Sequence, residues 1–176
     1  LADQQQQFPD FLAVNGTQPT VLRYGENPHQ HAALYKPVGP QQQGIAQAAQ
    51  LQGKALSYNN YNDADAALEL CAEFAGERPA VIIVKHANPC GVAQRDTLID
   101  AWNEALACDS VSAFGGIVAV NTELDGETAR AICEIFTEVV IAPSVSDEAR
   151  EAFARKKNLR LLTVGELPDA RRNGLT

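Results

Sequence analysis

The sequence contains no methionine. A native chain start is therefore not visible, and the chain reads as an internal piece of something longer. Its end at Asn173-Gly174-Leu175-Thr176 reads as a cut as well. No cysteine pair has C-x-x-C spacing: Cys71, Cys90, Cys108 and Cys133 stand apart, and the only histidines are His29, His31 and His86. That spacing argues against a closed zinc site and for reduced thiols in a cytoplasmic protein. No apolar run approaches the length of a membrane span, and no signal-peptide core is present, so no membrane partner is expected. Basic residues are the minority, 14 Lys and Arg against 22 Asp and Glu, for a net charge of -8. This excludes a general nucleic-acid binder, which needs a basic surface. A phosphorylated small substrate stays open, because it needs only a few local cations held against the overall field. There is no G-x-G-x-x-G, no Walker sequence and no G-x-S-x-G.

What is present suffices for one domain of ordinary size: 176 residues, 45% of them hydrophobic. Leu1 to Thr20 is glutamine-rich and reads as a linker or arm. Its cluster of Phe8, Phe11 and Leu12 suggests that the arm docks. The domain proper is expected over 21–176. Its centre is Ala80 to Gly91. Ala80 to Val84 is an unbroken apolar run and predicts a strand buried on both faces. Lys85 and His86 follow without a spacer, and Asn88-Pro89-Cys90-Gly91 predicts a turn. Two ionisable groups at the end of a buried strand are costly unless they meet a ligand or a partner.

Around this centre, Ile45 to Leu51 is of uncertain type and Gly53 to Tyr61 predicts a polar loop. Asn62 is the candidate cap of a helix whose buried face is Ala64, Ala67, Leu68, Cys71 and Phe74. Thr97-Leu-Ile-Asp100 fits a capping pattern, and Leu98, Trp102, Ala105 and Leu106 form the next apolar stripe. Ile117 to Val120 predicts a strand. Glu127 to Phe136 predicts a helix with Ala131, Ile132, Ile135 and Phe136 inward. Val139 to Ala142 is a strand, Asp147 to Lys157 a helix capped by Ser146, and Leu159 to Val164 a last strand. Strands alternating with helices predict an α/β fold, a three-layer αβα domain around a mainly parallel central sheet.

Three short stretches can carry chemistry. Arg23 beside Tyr24 is a candidate anion grip, because a guanidinium binds phosphate in bidentate fashion. A polar surface turn is the plainer reading. His86 suits a general base near neutral pH, and Lys85 can favour a developing oxyanion. Both face one substrate only if the strand breaks there, since neighbours on a strand point to opposite sides. A satisfied pair at a strand end is the alternative. Phe114-Gly115-Gly116 lets another backbone or a ligand come close, or is a simple turn.

Leu22-Arg-Tyr-Gly-Glu-Asn-Pro-His-Gln30, Lys85-His-Ala-Asn-Pro-Cys-Gly91 and Ser112-Ala-Phe-Gly-Gly116 occur in this order. Together they resemble the bacterial bifunctional purine-biosynthesis enzymes with AICAR formyltransferase and IMP cyclohydrolase activities. The resemblance runs from Val21 on and concerns the first half of the formyltransferase region. It implies transfer of a formyl group from the cosubstrate 10-formyltetrahydrofolate to the 5-amino group of AICAR, a phosphorylated nucleotide. It implies His86 as proton acceptor and Lys85 as transition-state stabiliser. Substrate-binding positions fall on Arg23, Tyr24, His86, Phe114, Gly115 and Glu138, where the family often has Asp. His29 and His31 are left as structural. The implied fold is cytidine-deaminase-like, and the implied partners are AICAR and a second copy in a homodimer with shared sites. Pro89-Cys90 echoes the deaminase Pro-Cys, but Ala93 stands where the second cysteine would be, so no catalytic metal is expected. The folate-binding residues would lie mostly downstream, which makes the piece alone inactive or nearly so. An AICAR-binding module without turnover and a dimerisation piece are the other readings.

Overall fold

A computed structural model describes residues 13, 15–38 and 44–170. The expected docking cluster Phe8, Phe11 and Leu12 lies outside the described residues. Among the described residues eight strands and five helices follow one another: β1 (Gly16–Val21), β2 (Ala33–Pro37), β3 (Ala49–Gln52), α1 (Tyr58–Ala72), β4 (Ala80–Lys85), β5 (Asn88–Gln94), α2 (Leu98–Cys108), α3 (Ser110–Ala113), β6 (Gly116–Val120), α4 (Gly126–Ile132), β7 (Thr137–Ala142), α5 (Asp147–Ala154) and β8 (Arg160–Thr163). A 3-10 turn, Ile45–Gln47, precedes β3.

Strands β1 and β2 pair with each other alone, antiparallel, and all six β1 residues are exposed. The other six strands form one sheet in the order β3-β8-β7-β6-β4-β5. Only β6–β7 and β7–β8 are parallel, whereas β3–β8, β6–β4 and β4–β5 are antiparallel. The sheet is therefore mixed, not mainly parallel. The reason is local. Only two residues, His86 and Ala87, separate β4 from β5, too few for the crossover that a parallel pair needs.

Helices cover both faces. Ala64, Ala67, Leu68 and Cys71 of α1 pack on one face, over Ile82, Val84, Ile117, Val139 and Ile141. On the other face Leu98, Trp102 and Ala105 of α2, Ala129 and Ile132 of α4, and Phe153 of α5 pack over Val81, Ile83, Val118 and Val140. The lone tryptophan is thus core, and β4 is buried on both faces from Ala80 to Val84. Each of its Val and Ile side chains contributes about 1.5–3 kcal/mol by leaving water.

The helix starts follow their caps. Thr97 accepts from the Asp100 N–H and donates to its carboxylate, and Ser146 caps α5, both as the sequence predicts. Helix α1 starts earlier than expected. Ser57 caps it, not Asn62, and Tyr58 to Tyr61 are helical rather than loop. The cap pairs Ser57 Oγ with the Asn60 N–H and Asn60 Oδ1 with the Ser57 N–H, a capping box that uses Asn in the usual Glu or Gln place. Helix α4 ends at Ile132, so Phe136 is not inward: it is 47% exposed.

The Asn88-Pro-Cys-Gly stretch is not the turn. It is the returning strand β5, at the sheet edge, where a proline costs no ladder bond. The turn is His86-Ala87, and both residues have positive φ, 52° and 58°. Two-residue hairpins favour such turns because their twist matches that of the strands. Gly91 serves helix packing instead: a Cβ there would stand 2.1 Å from the Ala105 carbonyl oxygen of α2.

Candidate functional site

One end of the sheet opens into a cleft of 620 Å³. The carboxyl ends of β3 and β4, the amino ends of β6, β7 and β8, the start of α1 and the loop after β1 all meet there. Arg23, Tyr24, Lys85, His86, Gly115 and Glu138 all line it, although they are spread over 116 positions of sequence (23–138). Phe114 stands at the margin, 59% exposed, with its ring 5.4 Å from that of Phe136. His29 and His31 are exposed and lie outside the cleft.

Each group has a local reason for its place. The 22–32 loop is tied by its own hydrogen bonds, Leu22 N–H to Ala32 O, Gly25 N–H to Gln30 O, and Asn27 N–H to Gln30 Oε1. This turn presents Arg23, whose guanidinium carbon lies 5.6 Å from the centre of the Tyr24 ring. Lys85 ends β4 half-buried, and its ammonium donates to the Phe114 carbonyl at 2.6 Å. Two of its three N–H donors remain for another acceptor. His86 comes one residue later, where the left-handed turn breaks the strand alternation.

Two β-bulges flank the site. Gly116 pairs with Thr137, but Ile117 pairs with Val139, so Glu138 is the extra residue of β7. A bulge re-aims a side chain, and here Glu138 reaches α1, where Asn60 Nδ2 donates to its Oε2 at 2.8 Å. Arg160 lies 3.9 Å from the same oxygen. The second bulge makes Cys90 the extra residue of β5: Ile83 pairs with Gly91 and Val84 with Pro89. The Cys90 thiol donates to the Ile83 carbonyl at 3.5 Å. Burial, and then the Asp109 charge, push it above the usual thiol range. It is a neutral donor rather than a thiolate. Among the described residues no three His, Cys, Asp or Glu side chains cluster so that they could hold a metal ion.

Further polar side chains line the cleft without a motif to signal them, among them Lys54, Asn60, Asp63 and Arg160. Asp63 reads from sequence as a first-turn acid of α1. It sits deeper because the helix starts at Tyr58, and its carboxylate accepts the Ala87 N–H at 2.9 Å. Lys54 and Arg160 have no sequence signature at all. With Arg23 and Lys85 they make four cationic side chains against the two acids Asp63 and Glu138. The cleft is thus cationic in a chain of net charge -8. Tyr61, also in the lining, has its phenol pushed up by burial and stays a neutral donor.

The class is defined by these features: an α/β domain whose sheet end presents a cationic cleft with a Lys-His pair on a strained hairpin. Comparison with known proteins narrows it. The family described as AICARFT/IMPCHase bienzyme matches residues 1–175, and the chain belongs to that family. The bifunctional purine biosynthesis protein PurH of Sinorhizobium fredii is 61% identical over 170 residues, 96% of this chain and 32% of that protein. PurH of Paracoccus denitrificans is 61% identical over 171 residues, 97% of this chain and 32% of that protein. The chain thus spans about a third of the length of these curated relatives. Among solved structures, Acinetobacter baumannii RibD, form 1, aligns at TM-score 0.45 and 17% identity, over 61% of this chain and 36% of that one. That likeness is too loose to argue from.

Proposed function

We propose that this chain is the AICAR-binding half of an AICAR formyltransferase. The observation that carries the reading is the convergence of Arg23-Tyr24, Lys85-His86, Gly115 and Glu138 on one cationic cleft. In this reading Arg23 and Tyr24 hold the phosphate. Glu138 and the backbone at Gly115 hold the remainder of the nucleotide, with Phe114 beside them. The 5-amino group is a poor nucleophile because its lone pair is delocalised. It attacks the formyl carbon of 10-formyltetrahydrofolate, a C–N bond forms, and the carbonyl becomes a tetrahedral oxyanion. His86 takes the proton of the amine. The free N–H donors of Lys85 face the oxyanion. Collapse expels the folate N10, which takes up a proton, and leaves the formylated nucleotide. No step calls on a catalytic metal.

The family membership supports a cytidine-deaminase-like fold, a cytoplasmic setting and a homodimer with sites shared between subunits as parts of the same reading. The chain spans 32% of the length of its relatives, which favours AICAR binding without turnover by the isolated piece.

A calorimetric titration with AICAR tests the assignment. Saturable binding is expected, weakened at least tenfold in Arg23→Ala, since charge-assisted hydrogen bonds contribute about 1.5–3 kcal/mol. His86→Ala should weaken AICAR binding less than Arg23→Ala does and, in the full-length enzyme that carries this segment, abolish formyl transfer. A folded sample that binds no AICAR refutes the claim that this half holds the nucleotide by itself.

A further inference from the structure

We infer that Asp63 is a positioning residue for His86, acting through the peptide unit that joins His86 to Ala87. This rests on the reading of His86 as the proton acceptor. Both polar groups of that peptide are held. The His86 carbonyl accepts from Asn88 Nδ2 at 2.7 Å, and the Ala87 N–H donates to Asp63 Oδ1 at 2.9 Å. A peptide unit held at both ends cannot turn over. Its plane sets ψ of His86 and φ of Ala87, and so the course of the chain where the imidazole leaves it.

The hold is needed because the conformation is unfavourable. His86 and Ala87 both have positive φ, a region that side chains with a Cβ rarely occupy. Rotation of the peptide would let Ala87 leave that region, and it would put the His86 carbonyl where the N–H now stands. Asn88 comes from the same hairpin and moves with it. Asp63 does not: it stands on α1, whose Ala64, Ala67 and Leu68 are locked in the core. The helix is therefore the fixed reference, and Asp63 is its one hydrogen bond to the turn among the described residues. Asn60, three residues earlier on the same side of α1, braces Glu138 in the same way.

The chemistry of the acceptor allows a sharp test. Asp63→Asn keeps an oxygen for the Ala87 N–H, whereas Asp63→Ala removes it. Amide hydrogen exchange at Ala87, measured without ligand, should speed up at least tenfold in Asp63→Ala and stay near the parent in Asp63→Asn. In the full-length enzyme, kcat for formyl transfer should fall tenfold to a hundredfold in Asp63→Ala, with KM for AICAR within about twofold, as a misplaced catalytic group predicts. Asp63→Asn should recover most of that loss. Adding Ala87→Gly to Asp63→Ala should restore part of kcat, because glycine accepts positive φ freely. Equal exchange at Ala87 in all three proteins would overturn the inference. So would a kcat in Asp63→Asn as low as in Asp63→Ala, which would mean that the charge matters and not the hold. If the parent neither binds AICAR nor transfers formyl, the proposed function fails, while hydrogen exchange still judges the hold.

Discussion

Replacing Asn121 with alanine would remove three hydrogen bonds at once. The residue follows β6 and is 8% exposed. Its Oδ1 accepts the Ala80 N–H at 2.7 Å, and its Nδ2 donates to the carbonyls of Phe74 at 2.8 Å and Arg78 at 2.9 Å. It thereby joins the end of β6 to the first residue of β4 and to the segment that returns from α1. A net hydrogen bond is worth about 1 kcal/mol, and a buried donor left without a partner costs about 1–3 kcal/mol. Ala80 is fully buried, so its N–H has no water to turn to. The sum is about 3–4 kcal/mol, a large part of a total stability of roughly 5–15 kcal/mol. For a chain of this size each kcal/mol moves Tm by about 2–4 °C, so a fall of roughly 10 °C is expected. Urea unfolding followed by circular dichroism measures it, with the m-value checked for constancy. Asn121→Asp should fare little better, because its second oxygen would face two carbonyls. A loss below about 1 kcal/mol in Asn121→Ala would refute the claim that this amide holds the start of β4.

Gly91→Ala should destabilise by about 3 kcal/mol, at the upper end for overpacking, because the new methyl would overlap the Ala105 backbone rather than a movable side chain; a urea midpoint equal to that of the parent would contradict this packing. Burial pushes the Cys71 thiol from 9.0 up to about 12. The unfolded chain ionises first, so the stability linked to this thiol is complete below pH 9 and is lost as pH rises from 9 towards 12, at about 1.4 kcal/mol per unit. Cys71→Ala should flatten the alkaline limb of the stability curve. At pH 8 a thiol reagent should label exposed Cys108 in the native protein and reach Cys71 only after denaturant is added.

Much of the interior is legible in the sequence because burial imposes period and composition. The apolar run Ala80–Val84, rich in β-branched residues, reads as a strand wet on neither face, and Ala64, Ala67, Leu68 and Cys71 recur at helical spacing because one side of α1 meets the sheet. Short caps are legible where the pairing is the common one, as at Thr97 and Ser146, and are hidden at α1, where Asn60 stands in for Glu or Gln. Of the six cleft residues named from the resemblance, Arg23, Tyr24, Lys85, His86 and Gly115 lie in the three motifs, and Glu138 stands alone just before the Val139 strand run. Lys54, Asn60, Asp63 and Arg160 belong to no motif, and only the fold brings them to the same place.

The sequence by itself determined the central strand β4, the later strands β6, β7 and β8 and the buried faces of α1 and α2, because each depends on neighbours within a few residues. Tertiary structure alone decided the sheet order, the mixed strand directions and the way Lys85 and His86 part from the strand. Those depend on contacts between distant segments: α2 against Gly91, Asp63 against the Ala87 amide, and a bulge in β7 that turns Glu138 towards Asn60. A direction or a register leaves no period in the chain, since its energy lies in pairings that form only once the sheet has assembled.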